Sequence, residues 1–473
     1  MTAAQAPPQR LPLRARKPEL LAPAGTLKSL RYALAYGADA VYAGVPRYSL
    51  RVRSNDFDVA NLAAGIDDAH AAGRRFYLAA NVLPHGAKVR TFLDDMAPAV
   101  ALGPDALIMA DPGLILLVRE RWPELPIHLS VQANTTNAAA VRFWQRQGIR
   151  RVILSRELSL EEIAEIRAAC PDMELEVFVH GAVCIAYSGR CLLSGYFNHR
   201  DANQGSCTNA CRWEYRLARP AAAADAVAPA AMSTPGPEVA PIPAAGLLRT
   251  EPAPPQARHP AADDVWLLEE ARRPGEYLPV FEDEHGTYIM NARDLRAVQH
   301  VAALAALGID CLKIEGRTKS HYYAARTTWV YRRAIDDAAA GRPFRAQLLE
   351  VLEGLANRGY TEGFYRRHAP AEPPGGCMQN YTDGASRNHR RIFVGDVLGP
   401  DDATGLVKVG VKNRFRIGDP LELLTPGGIE TLQPAFMRSA DGGALDVAPG
   451  DGWCVHLPLP WPEARHGLLS APV

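Results

Sequence analysis

Four of the eight cysteines in the 473-residue chain fall within residues 176–212, which read EVFVHGAVCIAYSGRCLLSGYFNHRDANQGSCTNACR. Cys184, Cys191, Cys207 and Cys211 follow the spacing C-x6-C-x15-C-x3-C. Scattered structural thiols do not gather in this way. Without a secretory signal, such a cluster reads as a metal site rather than a disulfide framework. Thiolates are soft ligands and suit either zinc or an iron–sulfur cluster. Structural zinc sites pair their cysteines tightly, and here only the second pair is tight, which favours iron–sulfur. The plain alternative is a set of reduced, packed thiols. Gly181, Gly189, Gly195 and Gly205 interleave with the cysteines, as in a loop that wraps closely. His180, four residues before Cys184, is either an acid–base group or a hydrogen-bonded histidine at a strand end.

The elements that must position this stretch are short apolar runs alternating with helical patterns. LLAPAG, DAVYAGV, FYLAANV, ALIMAD, IHLSVQAN, RVILSRE and LEVFVHG are seven strand candidates, and DCLKIEGR at 310–317 is the eighth. Near-continuous apolar runs fit buried parallel strands. Thr26 is a plausible N-cap of the first helix and Gly37 its stop. Eight β-α units favour a (β/α)8, TIM-like barrel over a doubly wound sheet. The runs end in polar residues: Asn81, Asp111, Gln132 and Asn134, Arg156 and Glu157, His180, Lys313 and Glu315. Any one of these could be a satisfied polar cap. As a set they mark the C-terminal rim, where barrel enzymes keep their chemistry. The cysteine stretch follows the seventh strand, so its metal belongs at that rim.

The remaining chain divides by composition into a disordered tail (1–17), a barrel with strands one to seven and the cysteine loop (18–218), and a disordered Pro/Ala-rich insertion (219–263). Barrel completion (264–345), a helix with a basic linker (346–390) and a small all-β barrel domain (391–473) follow. VFEDEHGTYIMN reads as a hairpin, and ARDLRAVQHVAALAALG as one amphipathic helix. Arg326, Arg332 and Arg333 read as a solvated charged face, and Cys377 as a free thiol. Lys412, Arg414 and Arg416 share one loop, weak evidence for RNA binding.

Lysine plus arginine and aspartate plus glutamate each total 52, so net charge does not advertise a nucleic-acid binder. No apolar run approaches a membrane span, and the basic, Pro-rich N-terminus lacks the apolar core of a signal peptide. A cytoplasmic, reducing location is expected. No GxGxxG loop, Walker P-loop, HExxH or GxSxG elbow is present.

EVFVHGAVCIAYSGRCLLS resembles the signature of the collagenase-like peptidases, family U32. NHRDANQGSCTNACRWEY, LLAPAG and LKIEGRTKSHYYAART resemble one branch of it, the prephenate-dependent tRNA uridine hydroxylases. The resemblance runs from about Pro18 to the C-terminus and implies hydroxylation at carbon 5 of the wobble uridine of tRNA, with prephenate, a small dicarboxylate, as co-substrate. It implies a 4Fe–4S cluster on Cys184, Cys191 and Cys207. In some relatives a cysteine after the equivalent of Asp294-Leu295 also serves the cluster; here Arg296 stands there, and Cys211 is taken as the fourth ligand. His180, Glu157, Asn134 and Glu315 would then line the pocket, and Arg156 or Lys313 would pair with a prephenate carboxylate. The target base would stack on Tyr187 or Tyr196. Two alternatives stay open: a peptidase that pairs Cys191 or Cys184 with His180, and a non-enzymatic tRNA-binding scaffold with structural zinc.

Overall fold

The computed structural model describes residues 17–50, 56–183, 186–191, 193–194, 203, 205, 207–208, 215–218, 266–270, 277–280, 282–283, 286–287, 293–366 and 390–473. The expectations of a disordered tail (except Lys17) and of the 219–263 insertion lie outside these residues, as does Cys377.

Strands β1 (Glu19–Pro23), β2 (Ala40–Gly44), β3 (Arg75–Ala80), β4 (Ala106–Met109), β5 (Ile127–Leu129), β6 (Arg151–Ile153) and β7 (Glu174–Gly181) pair in parallel, each with the next. Helices α1 (Leu27–Ala35), α2 (Val59–Ala71), α3 (Gly86–Val100), α4 (Pro112–Arg121), α5 (Ala138–Arg146) and α6 (Leu160–Ala169) connect them. Side-chain caps set where the helices begin. Thr26, Asp58, Asp111 and Asn137 each accept a first-turn N–H, and Ser159 forms a capping box with Glu162.

Residues Cys211–Met290 form a compact unit of their own. It contains β8 (Tyr215–Ala218), β9 (Trp266–Glu270) and β10 (Tyr277–Val280) in one antiparallel sheet, and the expected hairpin as β11 (Glu282–Asp283) with β12 (Gly286–Thr287). Segments read as the end of the first barrel portion and the start of its completion thus contribute strands here instead.

The segment read as one helix over 292–308 begins as a strand, β13 (Asp294–Arg296), and becomes helical only at α7 (Val301–Ala306), after a 3-10 turn. Leu295 and Arg296 pair antiparallel with Gly181 and His180, and β15 (Tyr360–Thr361) pairs on the other side. Two ladders outweigh the local helical period. β14 (Cys311–Ile314) then enters between β7 and β1, with Cys311 opposite both Glu176 and Glu19, and closes the barrel.

Inside the closed barrel lies a column of charge. Glu176, fully buried, accepts from Lys313 Nζ at 2.8 Å and lies 3.3 Å from Arg151 Nη1. Arg151 also reaches Glu19 at 2.7 Å and Glu174 at 3.0 Å, and the Tyr77 hydroxyl donates to Glu19. Helices α8 (His321–Ala339) and α9 (Gln347–Glu353) follow β14.

The C-terminal region is antiparallel all-β. Strands β16 (Arg391–Pro400), β17 (Val407–Val411), β18 (Phe415–Arg416), β19 (Leu421–Leu424), β20 (Ile429–Leu432), β21 (Arg438–Ser439), β22 (Val447–Ala448), β23 (Cys454–Leu457) and β24 (Leu468–Pro472) form a seven-stranded sheet and a two-stranded ribbon. Its seam with the barrel corrects the solvated-face expectation for α8. Arg326 is 1% exposed; it pairs with Glu422 at 2.5 Å and donates to the Val351 carbonyl at 2.6 Å. Arg332 pairs with Asp39, and Arg333 donates to the Gly427 carbonyl. Asp396 holds Lys28 at 2.7 Å and His321 at 2.6 Å.

Removing one partner of a buried ion pair strands the other charge in a medium that cannot solvate it. Glu176→Ala is therefore expected to cost about 3–5 kcal/mol of unfolding free energy, and Glu176→Leu/Lys313→Met to recover most of that loss. Urea unfolding of the three proteins checks this; equal losses in the single and double variants would show that the pair is not coupled.

Candidate active site at the barrel rim

Two glycines let the cysteine loop lie directly on the strand-end turns. Gly181 closes β7 at φ +109°, where a Cβ would sit 2.6 Å from the Glu315 carbonyl oxygen. Gly189 has φ +77°, and its Cβ would meet the Gln132 carbonyl oxygen at 2.1 Å. Only glycine combines that backbone with that proximity. Further hydrogen bonds hold the loop down. Glu157 accepts from the Ser188 N–H at 3.0 Å, Glu315 from the Ala182 N–H at 3.4 Å, and Asn203 from the Leu83 N–H at 3.0 Å. Ser194 Oγ lies 2.9 Å from Thr208 Oγ1 and accepts from the Thr208 N–H at 2.9 Å.

The Ser194–Thr208 clasp joins the two segments that carry Cys191 and Cys207, both half-buried. Cys184, Cys211 and Tyr196 lie outside the described residues. Among the described residues no group of three or more His, Cys, Asp and Glu forms a metal site. Two thiols on clasped segments over the strand ends fit a soft-metal donor set.

The other expected site residues separate into several environments. Asn134 lies beyond β5, as the left-handed cap (φ 51°) of a 3-10 turn, and donates to Ser155 Oγ at 2.9 Å. Glu157 and Glu315 accept loop N–H groups, as above. Asp111 caps α4, and Asn81 donates to Ser130 Oγ at 3.2 Å while accepting from the Leu50 N–H. Lys313 is 2% exposed with its charge matched by Glu176; burial pulls its ammonium below the ordinary range, and Glu176 opposes that shift. Arg156 differs from all of these. It has no hydrogen-bond or ion-pair partner among the described residues, and its guanidinium lies 3.7 Å from the centre of the Phe178 ring. Tyr187, on the cysteine loop, is 61% exposed.

His180, expected to line the pocket as an acid–base group or to be a hydrogen-bonded histidine at a strand end, has the surroundings of the second. The register with β14 shifts after Lys313↔Phe178, so that Ile314 pairs with His180. The imidazole sits among Tyr323, Tyr331 and Tyr360, with ring centres 5.8, 5.6 and 5.5 Å away. The Tyr331 hydroxyl donates to the Val179 carbonyl at 2.6 Å, so the His180 Nδ1–H must donate to Tyr331. Nε2 is left buried without a partner among the described residues.

Sequence reasoning missed Arg317 and Tyr42. Arg317, 8% exposed, donates to Ser49 Oγ and lies 5.6 Å from the Tyr42 ring; Lys313 approaches the same ring at 4.4 Å. Arg317 stands two residues past Glu315, so its place at the rim was readable from the eighth strand.

The pattern of Peptidase family U32 matches residues 25–373, and that of the Peptidase family U32 C-terminal domain matches residues 389–470. The chain belongs to peptidase family U32. Within that family it is similar to tRNA hydroxylation protein P of Escherichia coli, 58% identical over 460 residues and 96% of each chain. The protein of the same name from Haemophilus influenzae is 55% identical over 94% of each chain. A protein named Collagenase, from Porphyromonas gingivalis, is 26% identical over 86% of each chain.

In this U32 chain, burial pushes the His180 imidazole down to about 3 from an ordinary 6.5; nearby Asp294 opposes the shift, while Arg296 and Lys319 reinforce it. The folded state thus binds the neutral ring, and its contribution to stability is complete above pH 6.5 and lost as pH falls toward 3. Between pH 7 and pH 5 the wild type should lose about 2 kcal/mol more than His180→Phe. Urea unfolding at the two pH values checks this, and parallel losses would contradict the burial.

Proposed function

We propose that the protein is a tRNA-modifying hydroxylase that acts at carbon 5 of the wobble uridine, with prephenate as co-substrate and a 4Fe–4S cluster on Cys184, Cys191, Cys207 and Cys211. The observation that carries this reading is the end-to-end likeness to tRNA hydroxylation protein P, 58% identical over 96% of both chains. When bound, the cluster supplies one-electron redox chemistry. The chain's own residues divide the other tasks. A dicarboxylate needs a fixed cation, and Arg156 is planar, permanently charged and without a carboxylate of its own among the described residues. Lys313 is already engaged by Glu176 and is not assigned that role. Tyr187 offers an exposed ring on which an unstacked base can lie. Glu157, Glu315 and Asn134 brace the rim loops by the hydrogen bonds described, and their task is positioning. The enzyme works on a soluble substrate, and no helix among the described residues is long and apolar enough to cross a membrane.

The peptidase alternative would need an imidazole free to take a thiol proton. His180, 1% exposed and bonded to Tyr331, argues against it.

Protein purified without oxygen is expected to be brown and to carry about four iron and four sulfide per chain. Zinc at one equivalent with no iron would favour the scaffold alternative. Nucleoside mass analysis of tRNA from a strain lacking the gene should show the 5-hydroxyuridine-derived nucleoside restored by the wild type and absent with Cys191→Ala. Identical nucleosides with and without the gene would end the hydroxylase reading.

A further inference from the structure

The C-terminal region leaves large aromatic side chains uncovered, and one of them lies on a strand paired with the one that leads into a positively charged loop. Trp453 is 46% exposed. Its carbonyl accepts from the Val411 N–H at 2.8 Å, and the next residue, Cys454, pairs with Gly410. The Trp453 backbone therefore pairs with the strand that runs into the loop 412–416, in which Lys412, Asn413, Arg414 and Arg416 are exposed while Phe415 is buried and pairs with Ala448. The loop is held in shape: the Lys412 N–H donates to the Val394 carbonyl, and Asn413 Nδ2 to the Phe393 carbonyl, both at 2.7 Å.

The charges of the patch are only partly paired among the described residues. Asp451 takes Lys412 at 2.7 Å, an exposed pair. Asp419 accepts the Arg416 backbone N–H, and Asp446 is joined to the loop only through its carbonyl, to the Ile417 N–H. Neither the Arg414 nor the Arg416 guanidinium has a carboxylate partner among the described residues. An exposed indole and two guanidinium groups without carboxylate partners among the described residues, carried on neighbouring segments, suit a single-stranded nucleic acid, whose bases stack and whose phosphates pair.

The patch is tied to the active-site end of the barrel. The Phe393 ring stacks on Tyr322 at 4.8 Å and lies 5.5 Å from His321. Both residues open α8, immediately after the rim segment that carries Arg317 and Lys319. We infer that Trp453, Arg414 and Arg416 form a second RNA contact, which grips an unpaired stretch of the tRNA while the rim holds the target uridine. This rests on the tRNA reading above and adds a binding surface outside the barrel.

The test is binding of a fluorescent anticodon stem-loop RNA to the full-length, anaerobically purified protein across a salt series. Trp453→Ala is expected to weaken binding about tenfold, and Trp453→Phe to restore most of it. Arg414→Gln/Arg416→Gln should weaken binding similarly and lower the slope of log affinity against log salt by about 1.4. Phe143→Ala, which removes an equally exposed aromatic on α5, should leave affinity unchanged. If wild type and variants bind alike, the inference falls and the patch passes to a protein partner. If Phe143→Ala weakens binding as much as Trp453→Ala, the surface is not specific and the inference also falls. If the wild type itself binds no RNA, the tRNA reading fails with it.

Discussion

One carboxylate, Glu176, lies in the barrel interior with no exposure to water, and much of the rim depends on what it neutralises. A lone carboxylate there would be costly; it persists because β14 delivers Lys313 and β6 delivers Arg151 to within ion-pair distance. The pairing couples the closing strand to the two strands before it. It also decides which cations are spent. Lys313 and Arg151 belong to the interior, whereas Arg156, five residues past Arg151 and beyond the strand, remains without a carboxylate partner among the described residues and packs on Phe178. The interior charge balance is thus complete without Arg156.

The same economy governs the acids at the rim. Glu157 and Glu315 read in the sequence as residues that line the pocket, and both accept backbone N–H groups from the cysteine loop. With Gly181 and Gly189, they hold the described part of that loop against the strand-end turns that carry Gln132, Glu157 and Glu315. The all-β region is bound into this arrangement. Leu424 and Leu468 join the barrel's apolar core, and Arg326 with Glu422 and Asp396 with His321 and Lys28 close the seam. The start of α8 is thereby held against both the rim and the C-terminal sheet.

The eight barrel strands were legible because buried parallel strands must be apolar throughout, and each run sat between helix signals such as Thr26 and Gly37. The rim was legible for the same reason: polar residues that end an apolar run have few other places to go. The failures have a common cause, which is pairing that a single sequence does not display. The register shift opposite Lys313–Ile314 sets His180 opposite Ile314. The ladders on both sides of Asp294–Arg296 hold as a strand a segment with helical period. Arg326 looks like a surface residue until Glu422, 96 positions away, is placed beside it. Lys313 and Arg156 were equivalent as candidate carboxylate partners, and only the position of Glu176 separates them.

That separation can be measured directly by calorimetric titration of prephenate into wild type, Arg156→Ala and Glu176→Leu/Lys313→Met. A lost bidentate guanidinium–carboxylate contact should weaken binding by roughly tenfold to a hundredfold in Arg156→Ala. The interior double variant should bind within about threefold of wild type, because it removes charges that already satisfy each other. Undiminished binding by Arg156→Ala, or an equal loss in the interior variant, would contradict the account.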